Sequence, residues 1–215
     1  MIGESKMNDE KIWYYQYLDL PKIPEKFIDE AKTILKDEKI KRKQALQSLS
    51  SSWTQKFDPE KKEISYGMFR KMNDHGKTIT SRSVVRFSVN TEFESWIRKN
   101  ISDDFIDASI APSYNQNEED QVLGPHTDTT RDYLLVYLFD TSNADQKTAW
   151  WQENGHPVVR EYNISTNDFE SMTKLEELEI EKERWILLNA RILHSVHNIN
   201  GYRDAIQISL KNKLF

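Results

Sequence analysis

The chain of 215 residues contains no cysteine. Disulfides, thiolate zinc sites and cysteine nucleophiles are therefore excluded, and any site chemistry falls to nitrogen and oxygen donors. Glycine and proline are sparse, at six each, and no low-complexity tract or internal repeat is visible. No apolar run approaches the ~18 residues of a membrane span. Met1 to Asp9 lacks the apolar stretch of a secretory signal, so a cytoplasmic protein with no membrane partner is expected. Positive charge is also short: 30 Lys and Arg face 35 Asp and Glu, a formal net charge of −5. Nonspecific grip on nucleic acid depends on cationic phosphate contacts, so no nucleic-acid partner is expected. The one basic cluster, Lys39-Ile40-Lys41-Arg42-Lys43, reads as a solvated helix face.

Apolar residues make up 37% of the chain and include six tryptophans, enough for a core. The length suits a single domain, 1–215. Its first part, 1–104, reads as a strand and supporting helices. Trp13 to Leu18 is aromatic and β-like. Phe27, Ala31, Ile34 and Leu35 then recur with helical spacing behind Pro24. Thr91 and Glu94 form a capping-box pattern ahead of Phe93, Trp96, Ile97 and Ile101, which share one helical face. From 105 to 215 the texture changes to short β-rich runs: 105–110, 132–140, 148–152, 157–162, 178–181, 184–189, 192–198 and 203–210. Many short strands with polar breaks suggest a sandwich or jelly roll, with hairpin turns plausible at Asn154-Gly155 and Asn200-Gly201. The expected fold class is mainly β with N-terminal helices.

His126 and Asp128 are separated by one residue, so on an extended strand both project to the same face and can converge on one ion. The pair alone is a weak signal, because His-x-Asp turns up readily by chance. His194 follows 68 positions later (194 − 126), at the start of an apolar strand. Two imidazoles and one carboxylate form the facial triad that holds Fe(II) while leaving positions open. His197 competes with His194, but a separation of three puts the two on opposite faces, and His194 is the one expected to look inward. His75 and His156 lie in loop-like contexts. Arg203, nine positions after His194 (203 − 194), stands on an alternating apolar strand. A buried arginine requires an anionic partner, which a dicarboxylate could provide bidentately.

With these residues in place, the chain resembles the 2-oxoglutarate- and Fe(II)-dependent dioxygenases, and within them the prolyl-hydroxylase-like branch. The resemblance rests on Gly124-Pro-His-Thr-Asp128 with Arg131 and Val136-Tyr137-Leu138, on Trp150 to Pro157, and on Trp185 to Asn189 through His194 to Arg203. It covers about half the chain, from Phe105 to Leu210. It departs at Ala205, where some relatives carry Ser or Thr, and at Lys147-Thr148-Ala149, where a Gly-Gly pair is common. The resemblance implies a double-stranded β-helix (jelly roll) core, and a hydroxylase using Fe(II), 2-oxoglutarate and O2 that releases succinate and CO2. It implies that His126, Asp128 and His194 ligate the metal and that Arg203, with Tyr137, holds the C5 carboxylate. Arg131, Trp150, Trp151 and Arg86 are candidate contacts to a small-molecule or peptide/protein substrate, and the polar segment 113–122 a candidate lid. The alternatives are a jelly-roll binding module without catalysis and a cupin-type metalloenzyme that does not use 2-oxoglutarate.

Overall fold

Side chains alternate across a β-strand, so a strand that is apolar at every position must be covered on both faces. Residues 134–139 form such a run, and the layers follow from it. The structure, a computed structural model, describes residues 13–46, 63–66, 72–74, 77–79, 84–114, 123–128, 131–142, 146–154, 172–197 and 202–214. The elements are β1 (Tyr15–Leu18), α1 (Glu25–Leu46), β2 (Glu63–Tyr66), β3 (Met72–Asp74), β4 (Lys77–Ile79), β5 (Val84–Ser88), α2 (Thr91–Asn100), β6 (Asp107–Tyr114), β7 (Leu123–His126), β8 (Tyr133–Thr141), β9 (Lys147–Glu153), β10 (Met172–Leu178), β11 (Trp185–Asn189), β12 (His194–His197) and β13 (Tyr202–Leu210).

Among the described residues the protein is mostly β, with two helices and antiparallel sheets. One sheet has seven strands in the order β1-β11-β8-β13-β6-β5-β2, and a second has four in the order β10-β9-β12-β7. β3 and β4 pair with each other. On one face of the larger sheet, Leu135, Tyr137 and Phe139 of β8 join Trp185, Leu187, Ile206, Ile208 and Leu210. There they meet Phe27, Ile28, Ala31 and Leu35 of α1 and Phe93 and Ile97 of α2. On the other face, Leu134, Val136 and Leu138 pack with Ile186, Leu188, Ala205 and, from the smaller sheet, Trp150. The two sheets therefore share a core, and the helices back the larger one. Ala149, Trp151, Met172 and Leu193 form a third cluster, with Trp151 on the face of β9 opposite Trp150.

The helix start differs from expectation by one residue. Asn90 caps α2, its side-chain oxygen accepting the Phe93 N–H at 2.7 Å. Asparagine is at least as good a cap as threonine, and its amide also donates to the Glu30 carboxylate at 2.6 and 2.8 Å, joining α2 to α1. Glu94 does not close a capping box; it pairs with Arg98 one turn on, at 2.7 Å.

Other expectations shift further. The strand expected at 178–181 is Met172–Leu178, and α1 runs on to Leu46. β2 and β5, which widen the larger sheet, have no counterpart among the expected strands. β12 and β13 lie in different sheets, so the Asn200-Gly201 step, itself outside the described residues, does not join a hairpin. β9 and β10 do pair, but the connection runs from Glu153 to Met172 rather than through a two-residue turn at Asn154-Gly155. Residues 157–162, His75, His156 and most of the 113–122 segment lie outside the described residues, as do the side chains of His197 and of the 39–43 cluster. Among the described residues, no helix is long and apolar enough to cross a membrane.

The Phe27 and Phe93 rings stack at 4.4 Å where the helices meet. Phe93→Ala removes a buried aromatic and leaves a cavity, so urea unfolding should show a loss of about 3–4 kcal/mol with an unchanged slope.

Candidate metal centre

Strand register places the two histidines. β12 runs antiparallel between β7 and β9, with His194 opposite His126 on one side and Trp150 on the other. Directly paired residues of neighbouring strands share a face, and the two imidazole centroids lie 4.4 Å apart, tilted by 47°. Ile192 and Leu193 ahead of β12 are fully buried, which anchors the strand's start in the core. Nδ1 of His194 is 2.9 Å from the Ile192 carbonyl. A carbonyl oxygen only accepts, so Nδ1 carries the proton and Nε2 keeps its lone pair for an ion.

Asp128 lies two residues beyond the end of β7. Its backbone N–H donates to the Ala190 carbonyl at 3.1 Å, which turns the segment towards β12. Donor atoms of His126, Asp128 and His194 all lie within 4.8 Å of one another, close enough for one metal ion to be shared. Among the described residues this is the one group of three or more such side chains so arranged. Two imidazoles and a carboxylate suit a divalent transition ion better than a hard all-oxygen cage for Ca²⁺ or Mg²⁺.

The carboxylate has a second partner. Nε of Arg131 donates to Asp128 Oδ2 at 2.6 Å, and Nη1 of Arg131 donates to Ser209 Oγ at 3.1 Å. The Ser209 hydroxyl in turn donates to Asp107 at 3.0 Å. Burial alone would raise the Asp128 carboxyl. Attraction to Arg131, then to His194 and His126, together with the Arg131 hydrogen bond, outweighs it and holds the group well below the usual carboxylate range. Asp128 is thus held as an anion beside the two imidazoles.

Other residues singled out in the sequence occupy varied places. Arg203 is buried at 4% exposure on β13, opposite Ser113 and Thr141. It is two residues from Ala205 in an unbroken register with β6, so it lies on the face of the larger sheet that the smaller sheet covers. Tyr137 does not join it. It projects to the helical side, packs against Trp185 at 5.0 Å, and its hydroxyl bonds the Ile23 backbone. The alternate positions of β8, which do face the smaller sheet, are held by Leu134, Val136 and Leu138.

The residues expected to contact substrate occupy different environments. Arg131 is buried and committed to Asp128 and Ser209. Trp150 is fully buried, stacked on Tyr15 at 5.2 Å. Trp151 faces away from it and donates its indole N–H to Ser195 at 2.8 Å. Arg86 is half-buried on β5, two strands from β13, on the face opposite Phe87. The supporting roles of Ser209 and Asp107 emerge only from the structure; the available signal was a serine in a strand otherwise rich in buried apolar residues.

No protein-family description matches the chain, and no curated protein matches it. Among solved structures, the X-ray structure of E. coli ycfD aligns with a TM-score of 0.38 and 14% identity over 68% of this chain. The alignment spans 38% of that chain's length.

Asp128→Asn leaves the Arg131 charge buried beside a neutral amide. In metal-free protein at pH 7 this should cost on the order of 3 kcal/mol by urea unfolding. The sign with pH follows from the lowered folded-state value. The carboxylate's contribution is complete above its unfolded value near about 4 and fades as pH falls through the folded one. The difference between wild type and Asp128→Asn should therefore shrink as pH is lowered below about 4.

Proposed function

We propose that the protein is an Fe(II)- and 2-oxoglutarate-dependent oxygenase that hydroxylates an unactivated C–H bond and releases succinate and CO2. The observation that carries this reading is the convergence of His126, Asp128 and His194 from separate strands. The strand order supports it. β6, β8, β11 and β13 lie in the larger sheet and β7, β9, β10 and β12 in the smaller one, as in a double-stranded β-helix.

In this reading the imidazoles of His126 and His194 and one Asp128 oxygen hold the metal. When bound, ferrous iron supplies the activation of dioxygen, coupled to oxidative decarboxylation of 2-oxoglutarate, that C–H hydroxylation requires. The chain's own residues do the rest. The Ile192 carbonyl fixes the His194 tautomer, and Arg131 fixes the carboxylate. Arg203, a permanent cation in a buried position, suits the far carboxylate of a diacid through paired N–H donors. The apolar surround of Leu134, Val136, Leu138 and Ala205 excludes water from the space between the sheets. The primary substrate is a small molecule or a peptide or protein.

The test is anaerobic reconstitution with Fe(II) and 2-oxoglutarate, followed by oxygen and a succinate assay. Wild type should form succinate, and His126→Ala or Asp128→Ala should form none. Arg203→Ala should raise the 2-oxoglutarate concentration needed on the order of 100-fold, as expected when one partner of a buried charged contact is removed. Metal binding without any response to 2-oxoglutarate would select a cupin-type enzyme. No metal uptake would select a binding module.

A further inference from the structure

We propose that Arg131 is a positioning residue that makes Asp128 a one-oxygen ligand, so that three coordination positions of the bound ion stay open rather than two. The inference rests on the metal-centre reading above and concerns what the protein does with the carboxylate's other oxygen. A carboxylate can grip an ion with one oxygen or both. Here Oδ2 is taken by Arg131 Nε at 2.6 Å. The guanidinium is not free to follow an incoming ion. Its Nη1 is bonded to Ser209 Oγ, the Ser209 hydroxyl to Asp107, and the side chain is 5% exposed. The backbone at Asp128 and at Asp132 is fixed too. Asp128 N–H reaches the Ala190 carbonyl, Ala190 N–H the Asp132 carbonyl, and Asp132 N–H the Leu210 carbonyl, at 3.0 to 3.1 Å.

Electrostatics alone argues against this placement. A guanidinium beside a cation site weakens ion binding, and a neutral donor such as Asn or Ser could have bonded the same oxygen without repulsion. What arginine adds is a rigid planar fork of five N–H donors, which here spans Asp128 and Ser209 at once. The geometry is explained by control of denticity. Two histidines and one carboxylate oxygen leave three sites on a six-coordinate ion, enough for a two-atom chelate and one further small molecule.

Water-proton relaxation of protein-bound Mn(II) tests this directly, because it reads the number of waters on the ion. Wild type should give the value for three waters. Arg131→Gln should fall to about two-thirds of it as the freed carboxylate closes on the ion with both oxygens. Ser209→Ala, which removes a single anchor of Arg131, should fall between the two. Both variants are prepared with Mn(II) present, which neutralises the carboxylate left by the lost guanidinium; Ser209→Ala carries the test should Arg131→Gln not fold. A two-water value in wild type, a wild-type value in either variant, or loss of Mn(II) binding by folded Arg131→Gln overturns the proposal. Failure of wild type to bind Mn(II), or binding that survives His126→Ala, removes the metal centre itself and this inference with it.

Discussion

The centre depends on one register. β12 fits between β7 and β9 so that His194 meets His126 on one side and Trp150 on the other. Sliding β12 by one residue would turn His194 to the opposite face and bring Ser195 into its place. The buried pair Ile192 and Leu193 resists that slip, because either would lose its apolar surroundings. The hydrogen bond from Trp151 to Ser195 resists it as well, since Ser195 must stay on the Trp151 side. The chemistry of the site is thus secured by packing that never touches an ion.

The larger sheet is a divider. Towards the helices it presents Leu135, Tyr137, Trp185, Ile206 and Ile208, with Asp204 buried two residues from Ile206 on the same face of β13. Towards the smaller sheet it mixes apolar positions with Ser109, Arg203 and Ser209, all buried. Burying such groups is unfavourable unless the surroundings satisfy them. Asp107, Ser209 and Arg131 do this for one another at one end, and the Asp128 carboxylate completes the chain.

Much of this is legible in the residues. A strand-length apolar run exposes β8, alternation exposes β13, and helical spacing exposes α1 and α2, because burial on a defined face leaves its mark on the residues that line it. His126, Asp128 and His194 can be singled out because few residue types bind metals and their spacing suits strands. The direction of Tyr137 is misread because β8 is apolar on both faces, which erases the alternation that would show which side it takes. The buried roles of Arg131, Trp150 and Trp151, read as candidate substrate contacts, stay hidden for a related reason. Their partners, Ser209, Tyr15 and Ser195, are 78, 135 (150 − 15) and 44 residues away, and nothing local announces them. β2 and β5 escape notice because strands towards a sheet's edge bury little and carry a weak pattern.

β1 joins the larger sheet through β11, with Tyr15 opposite Leu188, a separation of 173 residues (188 − 15). Asn189 fastens the same junction to Trp13 and Tyr14, and Tyr15 covers Trp150. A growing chain therefore makes β1 long before β11 and must leave it unpartnered until residues 185–188 have been synthesised. Such distant closure is slow and leaves β-forming aromatic surface open to association in the meantime. The aromatic segment around β1 is consequently where misassembly of nascent chains has an opening.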